Sequence, residues 1–252
     1  MSTSGGIEAF IIHLARATAR RPQVDRILAA SPVPATIIDA VDGRGLSSQE
    51  IDAVYSRQSL HAPRYPFTMA VGEIGCFLSH RRAWQAIVDK GLEAGLIIED
   101  DVEIDAPVFA QAFGLARQHV AELGYIQFQT RPVRGRSAVV ARKGGFSVVR
   151  PQVGPLRTSA QIVSAGHAKL LLELTARIDR PVDGFLQLSW VTTKAMCCVV
   201  PPGVSDRTSQ SGGSTISAST RYSAKVSREI NRFIYRRRIR ACSAKFASQA
   251  GE

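Results

Sequence analysis

Between residues 9 and 129, short apolar runs alternate with longer segments of helical period. Ala9–Leu14, Ala35–Val41, Gly95–Ile98 and Tyr125–Gln129 read as strands. Thr18–Ala29, a segment opened by Ser47, Gly72–Gly91 and Ala106–Leu123 read as helices, with Ser47 and Glu50 in a capping-box spacing. Few architectures satisfy such alternation. It predicts an α/β fold with an open, mostly parallel sheet covered by helices on both faces. The pattern loosens after residue 130. Ala138–Ala141 and Phe146–Val149 predict a hairpin, Ala160–Val163 a short strand, residues 166–178 a helix, and Ala195–Val200 a last strand. With 252 residues, 45% of them hydrophobic, the chain can bury a large core and is too apolar to stay disordered.

The third run ends abruptly in charge. Leu96-Ile97-Ile98 enters the sheet and Glu99-Asp100-Asp101 leaves it. Alternation along an extended chain places Glu99 and Asp101 on one face and Asp100 on the other. In open α/β sheets the ligand crevice lies beyond the C-terminal ends of the strands. Two carboxylates held together there repel unless a cation joins them, and oxygen ligands suit Mg2+ or Mn2+. The same pattern also fits a solvated acidic loop.

Net charge is +11, which favours an anionic partner. Of this, +7 falls between Arg221 and Glu252. There Tyr222, Val226, Ile230, Phe233 and Ile234 recur at helical spacing among arginines, so the sequence predicts a basic amphipathic helix. Such a helix either lies on an anionic membrane through residues 221–246 or docks on the body; nucleic acid is the least favoured partner. Residues 205–220, rich in Ser, Thr and Gly, read as a linker. Residues 1–15 lack the charge and apolar length of a secretory leader, and no run is long enough to span a bilayer. Four cysteines without a C-x-x-C pair read as reduced thiols, three of them buried, in a cytoplasmic setting.

Upstream of the acidic triplet stands Gly72-Glu73-Ile74-Gly75-Cys76-Phe77-Leu78-Ser79-His80. This G-E-x-G-C-x-x-S-H segment, followed some twenty residues later by a hydrophobic-E-D-D motif, closely resembles glycosyltransferase family 25. That family holds lipopolysaccharide glycosyltransferases and their collagen galactosyltransferase relatives. Ile11-Ile12-His13-Leu14 with Arg16, Arg20 and Arg21, the turn Ala40-Val41-Asp42-Gly43, the segment Ala160–Leu172, Pro181-Val182-Asp183 and Pro201-Pro202 resemble further family segments in order. His13 stands where the family usually has Asn, and Ala15 and Ala19 where polar residues are common.

The resemblance implies a GT-A-like catalytic domain over residues 1–204. Its nucleotide-binding half would occupy about 7–130 and its acceptor half about 131–204. It also implies metal-dependent, inverting transfer of a hexose, often galactose, from a nucleotide-sugar such as a UDP-hexose. The acceptor would be a lipopolysaccharide core or another surface glycan, reached from the inner face of a bacterial inner membrane. On this reading Glu99 and Asp101 hold Mn2+ or Mg2+. Arg16, Arg20, Asp42, Ser79, His80 and Glu99 meet the donor, and Asp183 is the general base. Each has a plainer reading. Asp42 also fits an Asp-Gly turn, the arginines a solvated helix face, His80 a buried structural histidine, and Asp183 a helix cap. The competing function is an inactive transferase-like module that binds anionic membrane or nucleic acid through its tail.

Overall fold

A computed structural model describes residues 5–207 and 222–249, with side chains from residue 227 onward in the last helix. The first part of the chain runs β1 (Ile7–His13), α1 (Arg21–Ala30), β2 (Ala35–Asp39), α2 (Ser48–Val54), α3 (Val71–Asp89), β3 (Ala94–Glu99), β4 (Val102–Ile104), α4 (Ala106–Leu123) and β5 (Tyr125–Phe128). The second part adds β6 (Ser137–Lys143), β7 (Phe146–Pro151), β8 (Ala160–Ser164), α5 (Ala165–Leu174), α6 (Val182–Leu186), α7 (Ser189–Thr192), β9 (Cys197–Val200), β10 (Val204–Asp206) and α8 (Tyr222–Gln249).

Eight strands form one sheet in the order β2-β1-β3-β8-β5-β9-β7-β6. The pairings β1–β2, β1–β3 and β5–β9 are parallel, and the others antiparallel. Followed across the sheet, these pairings leave β8 and β7 running against the other six strands, so the sheet is mostly parallel as expected. Strand β8 lies between β3 and β5, two strands of the first half of the chain.

Alternating side chains feed two cores. Ala9, Ile11, Leu96 and Ile98 face α1 and α4, where Val24, Ile27, Phe109 and Phe113 meet them. Phe10, Ile12 and Ile97 face α3 and α5, where Phe77, Trp84, Ile87 and Leu171 meet them. The result is a three-layer α/β/α stack.

Several boundaries differ from the sequence reading. The first helix starts as a 3-10 turn over Thr18–Arg20, and the α-helix begins at Arg21 with Pro22 in its first turn, where a missing N–H costs nothing. Helix α5 stops at Leu174: Thr175 leaves the helical region (φ −113°, ψ 22°), with its hydroxyl donating to the Leu171 carbonyl (2.6 Å). Asp183, whose plainer reading was a helix cap, sits in the first turn of α6, with Pro181 at the cap position. Two cysteines rather than three are buried, Cys197 and Cys198; Cys76 and Cys242 are half-buried, and all four are free. Strand β10 reaches into the stretch read as a linker and pairs with β4; residues 208–220 of that stretch lie outside the described residues.

The basic helix is present as α8. Its docked stripe is Tyr235, Ile239 and Ser243, while Ile230, Phe233 and Ile234 are exposed. Fully buried Arg180 anchors the docked face. It donates to Tyr235 Oη (3.2 Å), to the carbonyls of His61 (2.7 Å) and Pro63 (3.2 Å), and to both Asp179 oxygens (2.7 and 2.9 Å). Among the described residues no helix is long and apolar enough to cross a membrane.

Candidate active site

The three parallel strands β2, β1 and β3 end at one edge, and a cavity of about 390 Å³ opens there. Arg16, Arg20, Asp42, Ser79, His80, Glu99, Asp100 and Asp101 all line it. Seven of these were singled out from the sequence; Asp183, the eighth residue singled out, is not in the lining.

The G-E-x-G-C-x-x-S-H segment forms the first turns of α3, and each motif residue has a physical task. Glu73 accepts the Ala70 N–H (2.7 Å) and caps the helix. Gly75 lets the helix approach the turn after β2: a Cβ there would stand 2.5 Å from the Val41 carbonyl oxygen and 2.7 Å from the Gly43 nitrogen. Ser79 accepts the Val41 N–H (2.8 Å) and donates to the Gly75 carbonyl (2.7 Å), so it clamps helix to turn. His80 is fully buried, and its Nε2 lies 3.0 Å from Glu99 Oε1. Gln161 donates to His80 Nδ1 (2.9 Å), which leaves Nε2 to carry the proton toward Glu99. Ser79 and His80 thus hold the site together from behind.

The acidic triplet splits into three environments. Glu99 ends β3 and also accepts from Thr158 Oγ1 (2.6 Å). Burial pushes its pKa up, but the hydrogen bonds from His80 and Thr158, with the charge of Arg157, hold it below the ordinary glutamate range. Both bonds fall on Oε1; among the described residues Oε2 has no partner. Asp100 is buried, hydrogen-bonded with His13 Nδ1 (2.7 Å) and paired with the Arg20 guanidinium through Nη1 (2.6 Å). The family departure at His13 therefore has a partner inside this chain. Asp101 lies in the turn before β4, and its carbonyl accepts the Arg207 N–H (2.9 Å).

Arg16 Nε donates to Asp42 Oδ2 (2.5 Å) at the cavity mouth. That bond, joined by the Arg44 N–H, lowers the Asp42 pKa. Asp42 is thus both a turn residue and an ion-pair partner.

A buried polar chain that the sequence reading missed runs sideways from Glu99. It continues through His80 and Gln161 to Tyr125 Oη, which donates to Gln161 Oε1. Gln127 donates to Tyr125 Oη (3.0 Å) and to the Arg157 carbonyl (2.8 Å), and Gln129 donates to Gln127. Gln127 and Gln161 on adjacent strands, both in otherwise apolar runs, were the available signal.

Arg157 sits at φ +80, a left-handed conformation that costs a non-glycine residue energy. Its N–H donates to Asp183 Oδ2 (3.1 Å), its carbonyl takes Gln127, and its guanidinium meets Asp206. Gly184 N–H donates to Asp183 Oδ1 (2.6 Å). Burial raises the Asp183 pKa, and the Glu99 charge adds to the rise against these hydrogen bonds.

Two arrangements bear on metal binding. Cys76, His80 and Glu99 bring ligand atoms within 4.8 Å of one another. That trio is a poor cage as it stands: burial and the surrounding carboxylates push the Cys76 thiol well up, and His80 Nε2 is committed to Glu99. Glu99 Oε2 and the Asp101 carboxylate supply the hard oxygen donors that Mn2+ or Mg2+ takes, on a wall of the cavity. The donor chemistry therefore fits a hard divalent ion.

Fold and site together define an α/β protein with a charged ligand crevice at the carboxyl edge of its parallel strands. A family model described as "Glycosyltransferase family 25 (LPS biosynthesis protein)" matches residues 7–186. The chain belongs to that family. Procollagen galactosyltransferase 1 of Danio rerio is 37% identical over 100 residues, covering 39% of this chain and 17% of its own length. "Probable inactive glycosyltransferase 25 family member 3" of Bos taurus is 32% identical over 204 residues, covering 74% of this chain and 32% of its own length. The chain thus spans between 17% and 32% of these curated relatives. A solved glycosyltransferase "involved in the glycosylation of the major capsid of PBCV-1" superposes with TM-score 0.36 and 12% identity, covering 68% of this chain and 66% of that one, a likeness too loose to carry weight.

Proposed function

We propose that this chain transfers a hexose, with inversion, from a nucleotide-sugar to a saccharide hydroxyl. A UDP-hexose is the donor we favour, and a lipopolysaccharide core or another surface glycan the acceptor. The observation that carries the reading is the cavity where Arg16, Arg20 and three consecutive acidic residues face one space. Arginine suits the donor diphosphate, and Asp42 would take its ribose or base. Glu99 Oε2 and Asp101 would hold Mn2+ or Mg2+. A divalent ion there supplies positive charge against the charge that develops on the leaving nucleoside diphosphate.

The acceptor oxygen attacks the anomeric carbon as the bond to the phosphate oxygen breaks, and its proton passes to the Asp183 carboxylate. A raised pKa suits Asp183 to that task, since a stronger base takes the proton more readily. His80 and Thr158 fix the Glu99 carboxylate from behind, so that Oε2 keeps its direction.

Helix α8 presents exposed Ile230, Phe233 and Ile234 among its arginines. This supports a peripheral seat on the inner face of a bacterial membrane, near glycolipid acceptors.

The test is a melting-temperature screen of nucleotide-sugars with and without Mn2+. The true donor raises Tm because it binds the folded state. Asp101→Ala keeps the fold and loses the Mn2+-dependent part. No stabilisation by any nucleotide-sugar with metal present would favour the inactive-module reading instead.

A further inference from the structure

Charge is divided unevenly along the chain. Residues 1–130 carry net −4, and residues 131–204 net +8. Between Leu123 and Leu172 there is no Asp or Glu, but eight Lys or Arg. Sheet register decides where these charges come to lie. Val148 pairs with Val199, which pairs with Phe128, and Ser147 pairs with Val200. The β6–β7 turn beyond Lys143 therefore stands level with the end of β5 and the residues that follow it. That is the same sheet edge at which β3 ends in Glu99, because β5 and β3 run in one direction on either side of β8.

Arg131, Arg142 and Lys143 are exposed on this edge, and among the described residues no carboxylate pairs with any of them. Five strand spacings separate β3 from β6, roughly 24 Å. Between the two lie Thr158, Gln129 and the Asp183–Arg157 pair, a polar path leading away from Glu99.

We propose that this basic ledge is the acceptor subsite, and that the acceptor is an anionic oligosaccharide carrying phosphate or carboxylate groups several sugars from the reacting hydroxyl. The inference rests on the glycosyl-transfer reading of the cavity and adds the charge class of the substrate. Guanidinium groups recognise both kinds of anion through paired N–H donors. A ledge so far from the anomeric carbon selects the acceptor without touching the chemistry.

The experiment is calorimetric titration of the full chain, loaded with Mn2+ and nucleoside diphosphate, against two probe pairs. One is a phosphorylated core oligosaccharide and its dephosphorylated form. The other is an oligogalacturonate and a neutral galacto-oligosaccharide of equal length. At least one charged probe binds roughly tenfold tighter than its neutral partner at low salt, since three exposed charge contacts contribute about two- to threefold each. The gap closes at 0.5 M NaCl. The triple variant R131A/R142A/K143A keeps the wild-type Tm and loses the gap.

Equal binding of charged and neutral probes by the wild type overturns the proposal, as does an undiminished gap in the triple variant. Sedimentation with phosphatidylglycerol vesicles is the third arm. If the triple variant loses vesicle binding and the oligosaccharide gap is absent, the ledge faces lipid and the proposal fails. Failure of the nucleotide-sugar screen above would instead remove the reading beneath it.

Discussion

Replacing His80 with alanine tests how the acidic site is held. His80 is fully buried between α3 and the sheet. The substitution removes the hydrogen bond to Glu99 Oε1 and leaves the Gln161 N–H without its acceptor. A hydrogen bond to a charged group contributes about 1.5–3 kcal/mol, and an orphaned buried donor costs about 1–3 kcal/mol. Truncation also empties part of a packed site, though water can refill a polar cavity. The expected loss is therefore about 3–5 kcal/mol, a large share of the roughly 5–15 kcal/mol that holds a domain folded.

Its pH dependence separates this from ordinary packing. Glu99 has a folded pKa below its usual value because of His80, so its contribution is present above the unfolded pKa and is lost as pH falls through the folded one. Without His80 only burial and the weaker partners remain, and the contribution shrinks or reverses. Urea denaturation of wild type and His80→Ala between pH 7 and pH 3.5 measures this. The stability gap is widest near pH 7 and narrows below about pH 5. A loss under about 1 kcal/mol, or a gap indifferent to pH, would falsify the view that His80 works through the Glu99 charge.

Gly75→Ala forces a methyl against the Val41 carbonyl and Gly43 backbone, so it costs about 1–3 kcal/mol in chemical denaturation; a neutral result means the turn is free to retreat. Asp183→Asn lowers transfer by about 10²–10⁴-fold while leaving the nucleotide-sugar Tm shift intact. In the wild type the acid limb of the pH–rate profile lies above the usual aspartate range, because the base must be ionised and its pKa is raised; a limb at ordinary aspartate values, or a fully active Asn variant, removes Asp183 from the reaction. The double change I230D/F233D leaves the docked face of α8 untouched and weakens sedimentation with anionic vesicles at least tenfold; unchanged sedimentation means the exposed stripe does not meet lipid.

Much of the fold could be read from periodicity, because β1, α3, β3 and α4 carry strong local patterns. The acidic strand end was readable for the same reason: apolar residues that stop at three carboxylates mark the edge of a sheet. The division of labour within the triplet was not. Strand alternation ceases at Glu99, and Asp100 is fixed by His13 and Arg20, some 80 residues earlier in the chain. The docking of α8 was equally hidden. Its two apolar stripes look alike in sequence, and the choice between them is made by Tyr235 reaching Arg180, a contact across 55 residues.

The position of β8 governs how the molecule can be cut. A strand from the second half of the chain is hydrogen-bonded on one side to β3 and on the other to β5. A fragment ending near residue 130 would leave β5 detached from the rest of its sheet and β3 with a bare, apolar edge, an invitation to aggregation. Residues 7–130 and 131–204 are therefore regions of one cooperative unit, and a truncation meant to isolate either should yield insoluble chain. Re-engineering this scaffold would have to proceed through loops such as the β6–β7 turn rather than by exchanging halves.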